Sequence, residues 1–255
     1  MNPLDQLADV AVTSILMNKD MHPGLNKLTM DQSYYVADRV SELIEKPLGG
    51  VAGYKIAWNS PEQLKKMELA HPGAGRIHGK SVRSSETSLA LTDFSNFLFE
   101  AEIVAFIGRD ITPGTTYNAM DIREYISEFT VGIEVLNRLD GADDASPTAS
   151  IAHNIYNAGV ILGNIQIPPF EMKPDDFTTR VSHNDKVVFE DVARAPQDPY
   201  EAIAFLANHF TGRGGTMTEG QLILCGSHIA PYPITAPGKV TVSIGNLGEV
   251  SMSVI

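Results

Sequence analysis

The sequence predicts an α+β fold, with a helical N-terminal part over residues 1–48 and a β-rich body over residues 49–255, together one continuous domain. Three observations carry this. Apolar residues recur at helical intervals through the first forty-odd positions. After Gly49 the texture changes to short apolar or alternating runs bounded by glycine and proline. Only a few helical patterns interrupt those runs, and no repeat, low-complexity tract or obvious linker divides the chain. At 255 residues the chain is long enough for a substantial core, and its 43% hydrophobic and 20% charged content is that of an ordinary globular protein.

The first helix is expected in "LDQLADVAVTSILMN", where Leu4, Leu7, Val10, Ile15 and Leu16 share helical spacing. The second is "TMDQSYYVADRVSELIEK", with Thr29 or Asp31 as its cap. "GGVAGYKIAW" reads as a short strand opened by glycines. "SPEQLKKMEL" reads as a helix, with Ser60 at the N-cap and Pro61 at the first helical position. "HPGAGRIHGKSV" reads as a glycine-rich loop. Strands are expected at 97–107, 131–138, 158–163, 179–182, 186–189, 221–227 and 239–244. Two helical patterns lie among them, "NAMDIREYISEF" and "DPYEAIAFLANHF", the second capped by Asp198. "TRVSHNDKVVFE" is a hairpin turning at Asn-Asp, and the tail is a second hairpin turning between Gly245 and Gly248.

Composition excludes several function classes. A net charge of −12 opposes nucleic-acid binding, because a polyanion is repelled. No apolar run reaches the ~18 residues of a membrane span. The N-terminus lacks the basic region of a secretory signal. The single cysteine, Cys225, excludes an internal disulfide, fits a reducing cytoplasm, and reads as a small buried residue. The chain has no phosphate-cradling GxxxxGK[ST], no GxSxG elbow and no HExxH.

The stretch "FLFEAEIVAFIG" carries the chemistry. In a strand, alternate residues share a face. Glu100 and Glu102 therefore point the same way, alongside Leu98, Val104 and Phe106, while the opposite face is wholly apolar. Two carboxylates in a partly desolvated site repel, and either one protonates or a cation neutralises them. Oxygen-only ligands suit a hard divalent ion. The competing arrangement is an exposed edge strand with an acidic face. Glu134 lies in a second apolar run, "VGIEVL", as a third ligand or as a salt-bridge partner of Arg138. Lys55 in "GYKIAW" either pairs with a carboxylate or snorkels out from an edge. His153 and Asn154 precede a strand as turn or cap residues. His78 sits in the glycine-rich loop, and "GRGGT" at 212–216 is a helix C-cap and loop.

The ordered set "GYKIA", "FEAEIVAFIGRDI", "GIEVLNRL", "AHNIYNAGVILG" and "LILCGS" resembles the 2-keto-4-pentenoate hydratase and 4-oxalocrotonate decarboxylase group of the fumarylacetoacetase-like superfamily. The resemblance covers nearly the whole chain. It implies a mixed β-roll or β-sandwich core of the fumarylacetoacetase C-terminal type behind an N-terminal helical part. It also implies a Mg2+ or Mn2+ ion held by Glu100, Glu102 and Glu134, with Lys55 as the active-site lysine. Gly226 and Ser227 fall where the family holds the substrate carboxylate, and Asn154, His153, Arg76 and His78 are further candidates for the substrate pocket. The chain departs from the family at three places: Asn137 and His153 stand where aspartates are expected, and Arg76 replaces an aspartate of the loop before the strand.

What the resemblance implies about activity is a cytoplasmic hydratase of a 2-hydroxy-dienoate or 2-oxo-enoate in aromatic meta-cleavage catabolism. A decarboxylase, a C–C bond hydrolase and a catalytically degenerate binding protein are the alternatives. The hydrolase would need a histidine, His78 or His153, to activate water. Relatives are commonly homo-oligomers, and a pathway enzyme is a possible partner.

Overall fold

The computed structural model describes residues 2–255. The N-terminal part is α1 (Pro3–Met17) and α2 (Met30–Leu48). Asn2 caps α1 by accepting from the Leu4 amide, and Asn18 ends it in the left-handed conformation. At α2 the cap is Thr29, which forms a reciprocal capping box with Gln32. These helices pack their small and branched residues, Ala8, Val36, Val40 and Ile44, around Leu25 and Ala149.

The body follows in chain order. It runs β1 (Val51–Ala57), α3 (Pro61–Lys66), β2 (Gly73–His78), β3 (Val82–Ser84), β4 (Thr87–Leu89), β5 (Phe97–Ile107) and β6 (Ile126–Asn137). It continues with α4 (Pro147–Ala152), β7 (Asn157–Leu162), β8 (Thr178–His183), β9 (Lys186–Val192), α5 (Pro199–Gly212) and β10 (Leu222–Ser227). It ends with β11 (Tyr232–Pro233), β12 (Gly238–Ile244) and β13 (Glu249–Val254). The α+β class, the helical N-terminal part and both expected hairpins are present. None of the described helices is long and apolar enough to cross a membrane.

Two expectations are corrected. The glycine-rich segment is not a loop: residues 73–78 form β2, antiparallel to β1. Its glycines are there for space. A Cβ on Gly75 would lie 3.0 Å from both the Lys55 stem and the Asn154 side-chain oxygen. The helical pattern at 118–129 yields only a short 3-10 turn, Asp121–Tyr125. From Ile126 the chain is strand, because pairing of Ile107 with Ile126 and Phe106 with Glu128 satisfies its backbone and buries Ile126 and Phe129. Tertiary pairing here outweighs the helical period.

Two sheets build the core. The larger runs β2-β1-β10-β5-β6-β7-β3, with β11 added to β5. It curls until β2 lies against β7, and one short turn at Gly79–Ser81 carries the chain from β2 at one edge to β3 at the other. The result is a roll. One end of its interior is plugged by Ile77, Val104, Val160, Leu222 and Leu224. Its outer face, with Phe99, Ile103, Phe129 and Ile133, packs on α5 and on the second sheet, β4-β13-β12-β8-β9.

Phe99 is fully buried where the roll meets the second sheet. Phe99→Ala is expected to lower the unfolding free energy by about 3–5 kcal/mol, read as a shift in the urea midpoint at constant slope.

Candidate metal centre

The unplugged end of the roll holds the charged residues. The β5–β6 register sets Glu100 directly opposite Glu134, and Glu102 follows two residues along on the same face. One carboxylate oxygen from each of the three lies within 4.8 Å of the others. β5 sits between β10 and β6, so the exposed acidic edge is excluded. Glu102 is 1% exposed and Glu134 is 0%, while Glu100 is partly open.

Lys55 reaches the cluster from β1 across the interior. Its Nζ is 2.5 Å from Glu134 Oε1 and 3.3 Å from the Ile155 carbonyl, to which it donates. Glu134 Oε1 also accepts from Asn157 Nδ2 at 2.8 Å. Glu134 Oε2 is buried and has no partner. Glu102 Oε2 accepts from the Gly226 amide at 2.7 Å. Gly226 has φ +111°, and a Cβ there would strike the Asn59 amide at 2.4 Å, so only glycine lets this backbone turn its N–H inward.

The electrostatics are unbalanced. Three carboxylates face one ammonium, a surplus of two negative charges when all are ionised. Burial pulls the Lys55 pKa down, but the fields of Glu134, Glu100 and Glu102 outweigh it and hold it above its ordinary value. Burial and the neighbouring Glu134 push Glu100 up to about 7, against the pull of Lys55. Burial, Glu134 and Glu100 push Glu102 well above the carboxylate range. A hard divalent cation fits this set: it supplies the missing two charges, it favours oxygen donors, and it gives the orphaned Glu134 Oε2 a partner.

The cluster opens into a cavity of about 590 Å³. Lys55, Glu100 and Glu102 form its buried end. Trp58, Asn59, Leu98, Ile155 and Tyr156 wall it, and Lys66, Arg138 and Asp143 lie at its open end. Asn154, Ile155 and Tyr156 run through three successive left-handed positions, φ 54°, 48° and 62°. For a branched residue such as Ile155 this is an outlier, and the turn costs about 1–2 kcal/mol per residue. Asn154 secures it by a two-way amide bond to the backbone of Arg76, 2.7 Å in each direction. The strained turn presents the Ile155 carbonyl to Lys55.

The expected site residues thus divide. Lys55, Glu100, Glu102 and Glu134 meet in one cluster, Ser227 lines the cavity, and the Gly226 amide is given to Glu102. Asn154 stands behind the wall as the clasp of the turn. Arg76, His78 and His153 do not line the cavity. The Arg76 guanidinium donates to Asp38 at 2.7 Å and lies over the Phe210 ring. His78 is buried against the Gly49 carbonyl. His153 is buried against the Ala149 carbonyl, and burial lowers its pKa to about 4. Arg138 pairs with Asp143 at 2.9 Å, not with Glu134. Sequence reasoning missed Asn157, Tyr156, Ser150, Trp58 and Lys66. None carries a local signal, because the contacts that recruit them join distant segments.

Comparison with known proteins places the fold and the family. A family model described as fumarylacetoacetate (FAA) hydrolase C-terminal matches residues 56–255. The chain is 32% identical over 232 residues to 2-oxo-hept-4-ene-1,7-dioate hydratase of Escherichia coli, covering 88% of this chain and 86% of that one. It is 23% identical over 221 residues to 2-keto-4-pentenoate hydratase of Burkholderia vietnamiensis, covering 85% and 83%. Its backbone superposes on 4-oxalocrotonate decarboxylase from Pseudomonas putida G7, complexed with magnesium and adipate. The TM-score is 0.92 at 21% identity, over 99% of this chain and 97% of that one.

The raised pKa of Glu100 sets a pH dependence. With the metal-free folded value near 7 and the ordinary value at 4.5, the folded state holds a proton that the unfolded chain has released. That stability is fully present below about pH 4.5 and is lost as pH rises through about 7. Thermal melts in chelator are expected to show this loss, Glu100→Gln to reduce it, and saturating Mg2+ to offset it. Mg2+ affinity by calorimetry is expected to weaken as pH falls below about 7, where proton and ion compete.

Proposed function

The chain belongs to the fumarylacetoacetate (FAA) hydrolase C-terminal family, and from that premise we propose that it is a divalent-metal-dependent hydratase of a 2-hydroxy-dienoate or 2-oxo-enoate. The observation that carries the reading is the set of three inward carboxylates with an orphaned oxygen, joined to a buried, charged lysine at the end of a cavity. Two relatives of which this chain covers more than four-fifths are named as hydratases.

Glu100, Glu102 and Glu134 would hold Mg2+ or Mn2+. Bound there, the ion supplies Lewis acidity that lowers the cost of an enolate next to a 2-oxo acid's carboxylate. The rest falls to the protein. Lys55, kept protonated by the carboxylates and aimed by the Ile155 carbonyl, carries the proton that the dienol must gain at its far carbon as its hydroxyl loses one. The product of that tautomerisation is an α,β-unsaturated ketone, to which water then adds. Trp58, Leu98 and Ile155 give the cavity wall an apolar surface, and the Ser227 hydroxyl sits beside Glu100 on the same wall.

A decarboxylase would use the same electron sink, and its test differs only in the substrate. With Mg2+ or Mn2+ present, the enzyme is expected to bleach the ultraviolet absorbance of 2-hydroxypenta-2,4-dienoate or its seven-carbon diacid homologue. Release of CO2 from 2-oxo-3-hexenedioate with no bleaching of either dienoate would replace the hydratase by the decarboxylase.

Lys55→Met, assayed folded at saturating metal, is expected to lower kcat by about 10²- to 10⁴-fold with Mn2+ affinity retained. Glu102→Ala is expected to lose Mn2+ binding and activity together, read by metal analysis of the purified protein and by the same absorbance assay.

A further inference from the structure

The two ends of the cavity carry opposite charge. At the buried end lie the carboxylates and Lys55. At the open end lie two cations, Lys66 and Arg138. Lys66 is exposed and makes no ion pair among the described residues. Arg138 continues the strand alternation that begins at Glu134 and passes through Leu136, so it faces the same interior. Its backbone extends the ladder by donating to the Asn96 carbonyl at 2.9 Å.

Among the described residues the only carboxylate that Arg138 meets is that of Asp143, which is 89% exposed, and the guanidinium itself is 42% exposed. An exposed pair of this kind is weak and readily exchanged. Beside it, the Tyr156 and Ser150 hydroxyls, 2.8 Å apart, line the same wall. The Tyr156 hydroxyl lies within the fields of both Arg138 and Asp143.

We propose that Arg138, with Lys66 in support, is the receptor for a second carboxylate at the far end of the substrate, so that the enzyme selects 2-oxo dicarboxylic acids over monocarboxylic ones. This rests on the proposed use of the buried end for the 2-oxo acid group. The spacing suits it. Along one strand face Glu134 and Arg138 are roughly 13 Å apart at Cα. An extended six- or seven-carbon diacid covers most of that span, and the arginine side chain closes the remainder. On binding, the guanidinium exchanges the solvated Asp143 for the substrate carboxylate, a planar acceptor that matches its fork of donors.

Trp58 is the sole tryptophan and lines the cavity, so its fluorescence reports binding without turnover. The test titrates the Mn2+-loaded protein with 2-oxoadipate and with 2-oxohexanoate, which match in length and differ by one carboxylate. The wild type is expected to bind the diacid roughly 10- to 100-fold more tightly, the worth of a charge-assisted hydrogen bond. Arg138→Met is expected to abolish that preference with monoacid binding within about 3-fold of wild type, and Asp143→Asn to increase it. Equal affinities in the wild type, or a preference that survives Arg138→Met, would overturn the assignment. Failure to turn over any dienoate would remove the hydratase reading and leave this binding difference standing, so the two are tested separately.

Discussion

The contact between Lys55 and Glu134 is made by side chains from strands that are not neighbours. In the order of the larger sheet, β10 and β5 lie between β1 and β6. Were that sheet flat, three strand spacings, roughly 14 Å, would separate the two backbones, too far for a lysine to cross to a 2.5 Å contact. The ion pair exists because the sheet is rolled, and the roll is closed by the turn at Gly79–Ser81 that joins its two edges. Every other feature of the site follows from this. The interior is narrow, so a side chain at position 75 would crowd the lysine stem that passes there. Lys55, Glu102 and Glu134 are buried within it, so the charges brought there must be matched.

They are not matched by the chain alone. One ammonium cannot offset three carboxylates, and the strain shows as two glutamates pushed toward protonation and one carboxylate oxygen without a partner. A protein that kept this arrangement for stability would be using an expensive device, since apolar residues fill a roll at lower cost, as Ile77, Val104 and Leu224 do at the other end. The unsatisfied end is arranged to take a cation. The backbone is held at similar cost nearby. The left-handed run from Asn154 to Tyr156 and the turned amide of Gly226 each place one backbone dipole, a carbonyl on Lys55 and an N–H on Glu102. Strain collects where orientation matters and is held by the Asn154 clasp.

On the proposed function the cavity separates two tasks by depth. Its buried end has the groups that would hold a metal and move a proton, a set suited to hydration and decarboxylation of 2-oxo acids alike. Its open end has exposed, exchangeable charges, Arg138, Asp143 and Lys66, which are suited to recognising what lies beyond the reacting carbons. Histidine takes no part in either. His78 and His153 are buried against backbone carbonyls outside the cavity, so water activation by these residues is not supported.

Alternation in "FLFEAEIVAFIG" was enough to put Glu100 and Glu102 on one face opposite a buried apolar face, because side-chain direction in a strand depends only on parity. Caps and periodicity were enough to place α1, α2, α5 and the two hairpins, because those signals are local. Glu134 and Lys55 stood out in the same way, as charges inside short apolar runs. The sequence could not show that β5 is a central strand, that residues 73–78 pair with β1, or that 126–129 prolong β6. Each depends on backbone partners far away along the chain. Nor could it show that Arg138 leaves Glu134 for Asp143, or that Asn157 serves Glu134. Local chemistry determined which residues carry charge and which way they face. Only the closure of the roll decided which of them meet, because proximity across a curved sheet is a property of its curvature and not of spacing along the chain.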